Sequence, residues 1–183
     1  MYTDSMSVLG QMDSFRRVFP TARRNRADLL RWLRRRPQLL AAVGFHEFAL
    51  ATSARVDPRL KALGEIKAAA LTHCEYCLDI GSAFSRALGV SDAQLRALPT
   101  FRESSEFDDT EKLVLEFAEA ITRTPAHIGE DLRRSLLAEF SEAQLTELAA
   151  AIAWENHRGR LNQALGVRPS GFSDSDFCVV PEQ

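Results

Sequence analysis

LGEIKAAALTHCEYCLDIGSAFSRALGVSDAQLRAL, residues 63–98, holds most of what decides the fold. Its stretch His73–Leu88 reads as one helix, and Gly89 follows at the position where helices close on a left-handed residue. Ser91-x-x-Gln94 is a capping box and opens a short helix over 91–98. Upstream, Asp57-Pro58 pairs an N-cap residue with a proline at the first helical position, so a helix is predicted from there to about Thr72.

The same punctuation extends in both directions. A helix is predicted over about 26–36, stopped by Pro37, which itself starts another running to about residue 53. Asp108-x-x-Glu111 caps EKLVLEFAEAITR, whose Leu113, Phe117, Ala120 and Ile121 repeat at helical spacing before Pro125. A helix follows at about 130–139. Ser141-x-x-Gln144 opens a long one to about Leu165, stopped by Gly166. SDAQLRAL (91–98) and SEAQLTEL (141–148) look alike, which shared capping chemistry explains as well as duplication does. No strand alternation is found. The expected fold is all-α, a single helical domain over 1–183. Residues 1–25 are read as an irregular basic arm and 167–183 as an irregular tail, docked through Phe172, Phe177, Val179 and Val180.

Composition agrees. The chain has 183 residues, 45% of them hydrophobic, with 23 Leu and 25 Ala but only 9 Gly and 7 Pro. That profile disfavours collagen, disorder and β-sandwiches, and the length suffices for a core without disulfide staples. No apolar run approaches a membrane span, and the first residues, MYTDSMSVLGQMDS, lack the charged and apolar regions of a secretory signal. Three cysteines are too few and too odd for a secreted disulfide framework, so a reducing cytoplasm is expected. Charge is uneven: residues 1–40 hold nine Arg against three Asp, while the remainder is net acidic. A basic segment can bind nucleic acid or anionic membranes, yet it carries no recognition pattern. It is read as a solvated face, or one that meets the acidic body of the same or another subunit; neither nucleic acid nor membrane is expected as a partner.

Cys74-Glu75-Tyr76-Cys77 carries the chemistry. Side chains at i and i+3 share a helix face, and a helix N-terminus stabilises the thiolate, which is the reactive form. Three readings compete on this spacing: a dithiol that cycles to a disulfide, half of a zinc site, or two inert buried cysteines. Zinc needs two further ligands, for which only Cys178 and scattered histidines are available, and no metal or cofactor is expected.

The ordered succession around the pair resembles the carboxymuconolactone decarboxylase-like superfamily, in particular its alkylhydroperoxidase (AhpD-type) branch. The matching features are a small-residue helix running into C-x-Y-C, an Ala-containing helix ending before Gly89, then EKLVLEFAEAITRTP and AIAWENHRGRLNQALGV. The likeness covers roughly residues 40–168. It implies an all-α bundle with the cysteine pair at a helix start, assembled as a homo-oligomer, a trimer or hexamer. It also implies hydroperoxide reduction, with an external thiol or disulfide electron donor. Lactone decarboxylation is the superfamily's other activity, and those enzymes typically lack the pair. A non-catalytic or redox-sensing helical oligomer is the remaining alternative.

Carried over by position, Cys77 is the thiolate that attacks peroxide and Cys74 its resolving partner. The family's relay histidine falls on Gly81 and its glutamate on Ala62, so neither is present. Glu65, three residues later and nearly on the same face, is the candidate substitute carboxylate. His73 and Asp79 are further candidates for proton transfer, although Asp79 lies about half a turn from Cys77. His157 is expected as a packed or hydrogen-bonded core residue, Trp154 and Asn156 as helix-packing or subunit-contact residues, and Cys178 as an unreactive tail thiol.

Overall fold

The computed structural model describes residues 8–174 and 177–182. Among these, nine α-helices follow one another without a strand: α1 Val8–Val18, α2 Asp28–Leu33, α3 Pro37–Thr52, α4 Pro58–Thr72, α5 Glu75–Ala87, α6 Asp92–Ala97, α7 Asp109–Thr122, α8 Glu130–Glu139 and α9 Glu142–Ala164. The helix starts follow the capping signals. Asp57 accepts from the Arg59 amide ahead of Pro58. Reciprocal capping boxes form at Ser91/Gln94, Asp108/Glu111 and Ser141/Gln144. Each satisfies backbone donors that the first turn of a helix otherwise leaves without partners.

α4 is the central element. Its Leu63, Ile66, Ala68, Ala69 and Ala70 are all at most 1% exposed. It packs against α5, α7 and α9. Small residues let those neighbours approach closely, and a Cβ on Gly64 would lie 2.9 Å from Ile152 Cγ1 on α9. Lys67 is fully buried on this helix. Its ammonium donates to the Leu98 carbonyl at 3.2 Å and to Glu182 at 2.5 Å, pairs with Glu119 at 3.3 Å, and lies 4.8 Å from the Phe101 ring centroid. Buried charge needs such partners to persist.

Both ends differ in part from the sequence expectation. Within the segment expected to be an irregular arm, residues 8–18 form α1, which packs on α5 through Phe15 against Phe84 at 4.9 Å; residues 1–7 lie outside the described residues. The helix is amphipathic but low in mean hydropathy, and what covers its apolar face is distant in sequence. α2 is shorter than 26–36. Arg34–Arg36 leave the helix ahead of Pro37, and Arg36 adopts φ −136°, ψ 81°, the extended region that precedes prolines. The basic segment meets the tail: Arg24 pairs with Asp174 at 2.5 Å and Arg168 with Asp28 at 2.8 Å. The tail docks through Phe172 and Val179, both buried, while Phe177 is half-buried and Val180 is exposed.

Candidate active site

The cysteine pair sits where α4 hands over to α5. His73 caps α4 in the left-handed region, φ 58°, and turns the chain so that Cys74 becomes the N-cap of α5. The Cys74 sulfur accepts the backbone N–H of Cys77 at 3.2 Å, filling a role usually taken by a Ser or Asp oxygen. Cys74 and Cys77 are joined as a disulfide, with Cα atoms 5.2 Å apart. They lie at the positive end of the α5 dipole, which favours negative charge on sulfur once the bond is reduced.

α9 approaches this turn at Gly159. A Cβ there would lie 2.6 Å from Thr72 Oγ1 and 3.6 Å from Cys74 Cβ. One turn further along α9, Asn162 is buried, and its Nδ2 donates to Cys77 Sγ at 3.5 Å, with Cys74 Sγ at 4.0 Å.

Cys77 borders a cavity of about 480 Å³ walled by α1–α5 and α9, whereas Cys74 does not reach it. Most of the wall is apolar, including Phe15, Leu33, Leu50, Ile80 and Phe84. The polar part includes Gln11, Ser14, Lys61 and Ser85, and its main charged cluster is centred on Arg158. Arg158 donates to Glu47 at 2.8 and 2.6 Å, to Glu65 at 3.1 Å and to Glu155 at 2.8 Å. Three carboxylates around one guanidinium leave excess negative charge on this wall. Burial pushes the Glu155 carboxyl up to about 7, with Glu65 adding to the shift and Arg158 opposing it. Burial likewise raises Glu65 against Arg158. For Glu47 burial is outweighed by the donors Arg158 and Trp154, and its carboxyl falls below the ordinary value. The second oxygen of Glu155, Oε1, is buried and has no hydrogen-bond partner.

The structure therefore brings Glu65 and Cys77 to one cavity and leaves the other two candidate relay groups outside it. Asp79 is buried, but its oxygens face the tail, accepting from the amides of Ser170 and Gly171 at 2.7 Å and of Ser173 at 2.9 Å. It is two residues past Cys77 and so faces away from the cavity. His73 is exposed and borders a separate shallow cleft with Thr122, Arg123 and Arg160. Gly81 lines the cavity at the position of the family's histidine, and a Cβ there would lie 3.0 Å from Ile66 Cδ1. His157 is not a core residue: it is exposed and stacks on Trp154 at 4.4 Å, with His46 at 3.9 Å on the other side. Cys178 packs beside the core around the pair, its sulfur 3.9 Å from Ser82 Oγ, and burial raises its thiol. Among the described residues, no three His, Cys, Asp or Glu groups converge on a metal-binding geometry.

The succession of α3 to α7 around this pair matches a known family. The model for "Carboxymuconolactone decarboxylase family" fits residues 37–120, and YnjA of Escherichia coli, an uncharacterised protein, is 36% identical over 129 residues, 70% of this chain and 68% of YnjA. The chain belongs to the carboxymuconolactone decarboxylase family. YdfG of Bacillus subtilis, also uncharacterised, is 25% identical over 114 residues, covering 62% of this chain and 78% of its own. Solved structures place this family member's helical fold with the AhpD-like proteins. ATU0492 of Agrobacterium tumefaciens, a protein of unknown function proposed as an AhpD of antioxidant defence, superposes with TM-score 0.71 at 22% identity, over 75% of this chain and 94% of its own. The debrominase Bmp8, in a cysteine-to-alanine variant bound to 2,3,4-tribromopyrrole, also gives 0.71 at 22% identity, over 78% of this chain and 76% of its own.

Proposed function

We propose that this chain is a dithiol peroxidase that reduces hydroperoxides through Cys74 and Cys77. The observation that carries the reading is the placement of Cys77 on the wall of the cavity that also holds Glu65, Glu155 and Arg158. In the reduced protein the Cys77 thiolate attacks the O–O bond of ROOH. The sulfur takes up OH to become a sulfenic acid, and RO⁻ leaves as ROH on gaining a proton. The Glu155 carboxyl, raised to about 7, is partly protonated at neutral pH and supplies the proton for this step, with the raised Glu65 carboxyl beside it. The Cys74 thiol then condenses with the sulfenic acid, releasing water and regenerating the disulfide. An external dithiol returns two electrons and two protons. The Asn162 amide and the α5 N-terminus favour negative charge on Cys77 in the reduced state.

A second reading draws on the fold shared with Bmp8. The largely apolar cavity has the volume for a halogenated ring, and the same dithiol would convert Ar–Br to Ar–H, yielding the disulfide, a proton and bromide.

One titration separates these readings. The reduced Cys178→Ser protein, given cumene hydroperoxide under nitrogen, should lose two thiols per chain. Adding Cys77→Ser should abolish that loss, and adding Cys74→Ser should leave a sulfenic acid trappable by dimedone. Thiols that survive peroxide, with bromide released from tribromopyrrole instead, would replace the first reading with the second. Loss of neither kind rejects both.

A further inference from the structure

Both permanent cations on the cavity wall are matched by carboxylates of this chain. Arg158 commits four of its five N–H bonds to Glu47, Glu65 and Glu155. Lys61 is 5% exposed. It donates to the Ser53 carbonyl at 2.7 Å and to Gln11 Oε1 at 3.4 Å, and pairs with Glu147 at 2.7 Å, which engages all three of its N–H bonds. Among the described residues, α1, α2 and α5 add no cationic side chain to the wall. Anions are in surplus. Glu47, Glu65 and Glu155 come from α3, α4 and α9 to a single guanidinium, and Glu47 stays ionised between its donors. Reduction of the disulfide adds the Cys77 thiolate to the same wall.

We propose that the cavity admits neutral, apolar hydroperoxides and turns away those that carry a carboxylate, with the Glu47–Glu65–Glu155 cluster setting this charge selectivity. The inference rests on the reading of Cys77 as the peroxide-attacking thiolate and adds which organic group it accepts. A carboxylate on that group has two kinds of wall to lie against. Beside Arg158 it meets the glutamates that already surround the guanidinium, and like charges so placed repel. Against Phe15, Leu33, Leu50 or Phe84 it loses water and gains no donor in return. A hydrocarbon group surrenders no hydrogen bond on the same surface and gains by leaving water. The volume, about 480 Å³, is that of sites which enclose small organic ligands, so a ring-bearing group fits inside as a whole and its charge cannot stay in bulk solvent.

Three probes of one shape separate charge from size: cumene hydroperoxide, the same molecule bearing a para-carboxylate, and the methyl ester of that acid. Each is given under nitrogen to the reduced Cys178→Ser protein at neutral pH. Thiol loss is followed in time, and each rate is divided by that of free dithiothreitol with the same probe. Cumene hydroperoxide and the ester should react at similar normalised rates, and the carboxylate about tenfold or more slowly. Glu47→Gln removes one negative charge, and Leu50→Lys sets an ammonium among the hydrocarbon. Either change should raise the carboxylate-to-ester rate ratio several-fold. A ratio near one before substitution, or a low ratio that neither variant raises, overturns the charge selectivity and leaves the dithiol chemistry standing. Thiols that survive cumene hydroperoxide and hydrogen peroxide alike overturn the peroxidase reading itself, and the selectivity with it.

Discussion

Glu155 is raised to about 7 and so is partly protonated at neutral pH, and stability measurements can detect it. Unfolded, this carboxyl ionises near 4.5; folded, burial among Glu65 and Glu47 holds its proton to about 7. Between those values the native state binds more protons than the unfolded chain, so stability falls as pH rises through that window and levels above it. A shift of this size corresponds to about 3 kcal/mol. Glu155→Gln should therefore be close to wild type at pH 5 and more stable than it at pH 8, as read by urea unfolding at both pH values. An equal difference at both would rule out the raised carboxyl. Glu155, Arg158 and Asn162 lie within AIAWENHRGRLNQALGV, which carries part of the family resemblance, but the sequence singles out none of them; they stand at i, i+3 and i+7 along α9. A polar stripe inside a helix otherwise rich in Ala and Leu is the available signal. Reading it requires knowing that this side of α9 faces the cavity and not solvent.

At the scale of elements, the hand-over from α5 to the tail depends on one carboxylate. Asp79 satisfies three closely spaced amides of the tail, at Ser170, Gly171 and Ser173, and Ser173 Oγ returns a bond to the Asp79 carbonyl at 2.7 Å. Asp79→Ala orphans those donors and should cost about 3 kcal/mol, taking roughly 1 kcal/mol for each. Proteolysis near Arg168 should accelerate, while Cys74 and Cys77 still form their disulfide. A tail cut no faster than in the wild type would show that the Phe172 and Val179 contacts suffice. Helix starts are legible because each is written in two or three residues: Asp57-Pro58, Ser91/Gln94, Asp108/Glu111, Ser141/Gln144. Asp79 is not legible as a clamp, because its partners are backbone groups some 90 residues away and backbone donors leave no trace in composition.

Across the whole molecule, Lys67 ties α4 to the Leu98 turn, to α7 through Glu119 and to the tail through Glu182. Removing one member of a buried charge group strands the others, so Lys67→Ala should lose about 3–5 kcal/mol. Calorimetry would read this as one cooperative transition at lower temperature; a loss below about 1 kcal/mol would mean the carboxylates find water instead. The all-α class and the cysteine pair at a helix start can be read from the chain because both rest on local signals. The place of the basic N-terminal segment cannot. Its arginines are split between pairing with the tail, as at Arg24, and standing in solvent, as at Arg34–Arg36, and only tertiary proximity separates the two.

Gly159 fixes a clearance. Where α9 crosses the Thr72 turn, a single hydrogen atom in place of a methyl group sets the gap between two helices and, through it, the reach of Asn162 to sulfur. The reactive pair is thus housed beside a close helix crossing. Tuning by drift can come from the roomy side of the cavity, where walls are built of interchangeable hydrocarbon, far more readily than from behind the sulfurs.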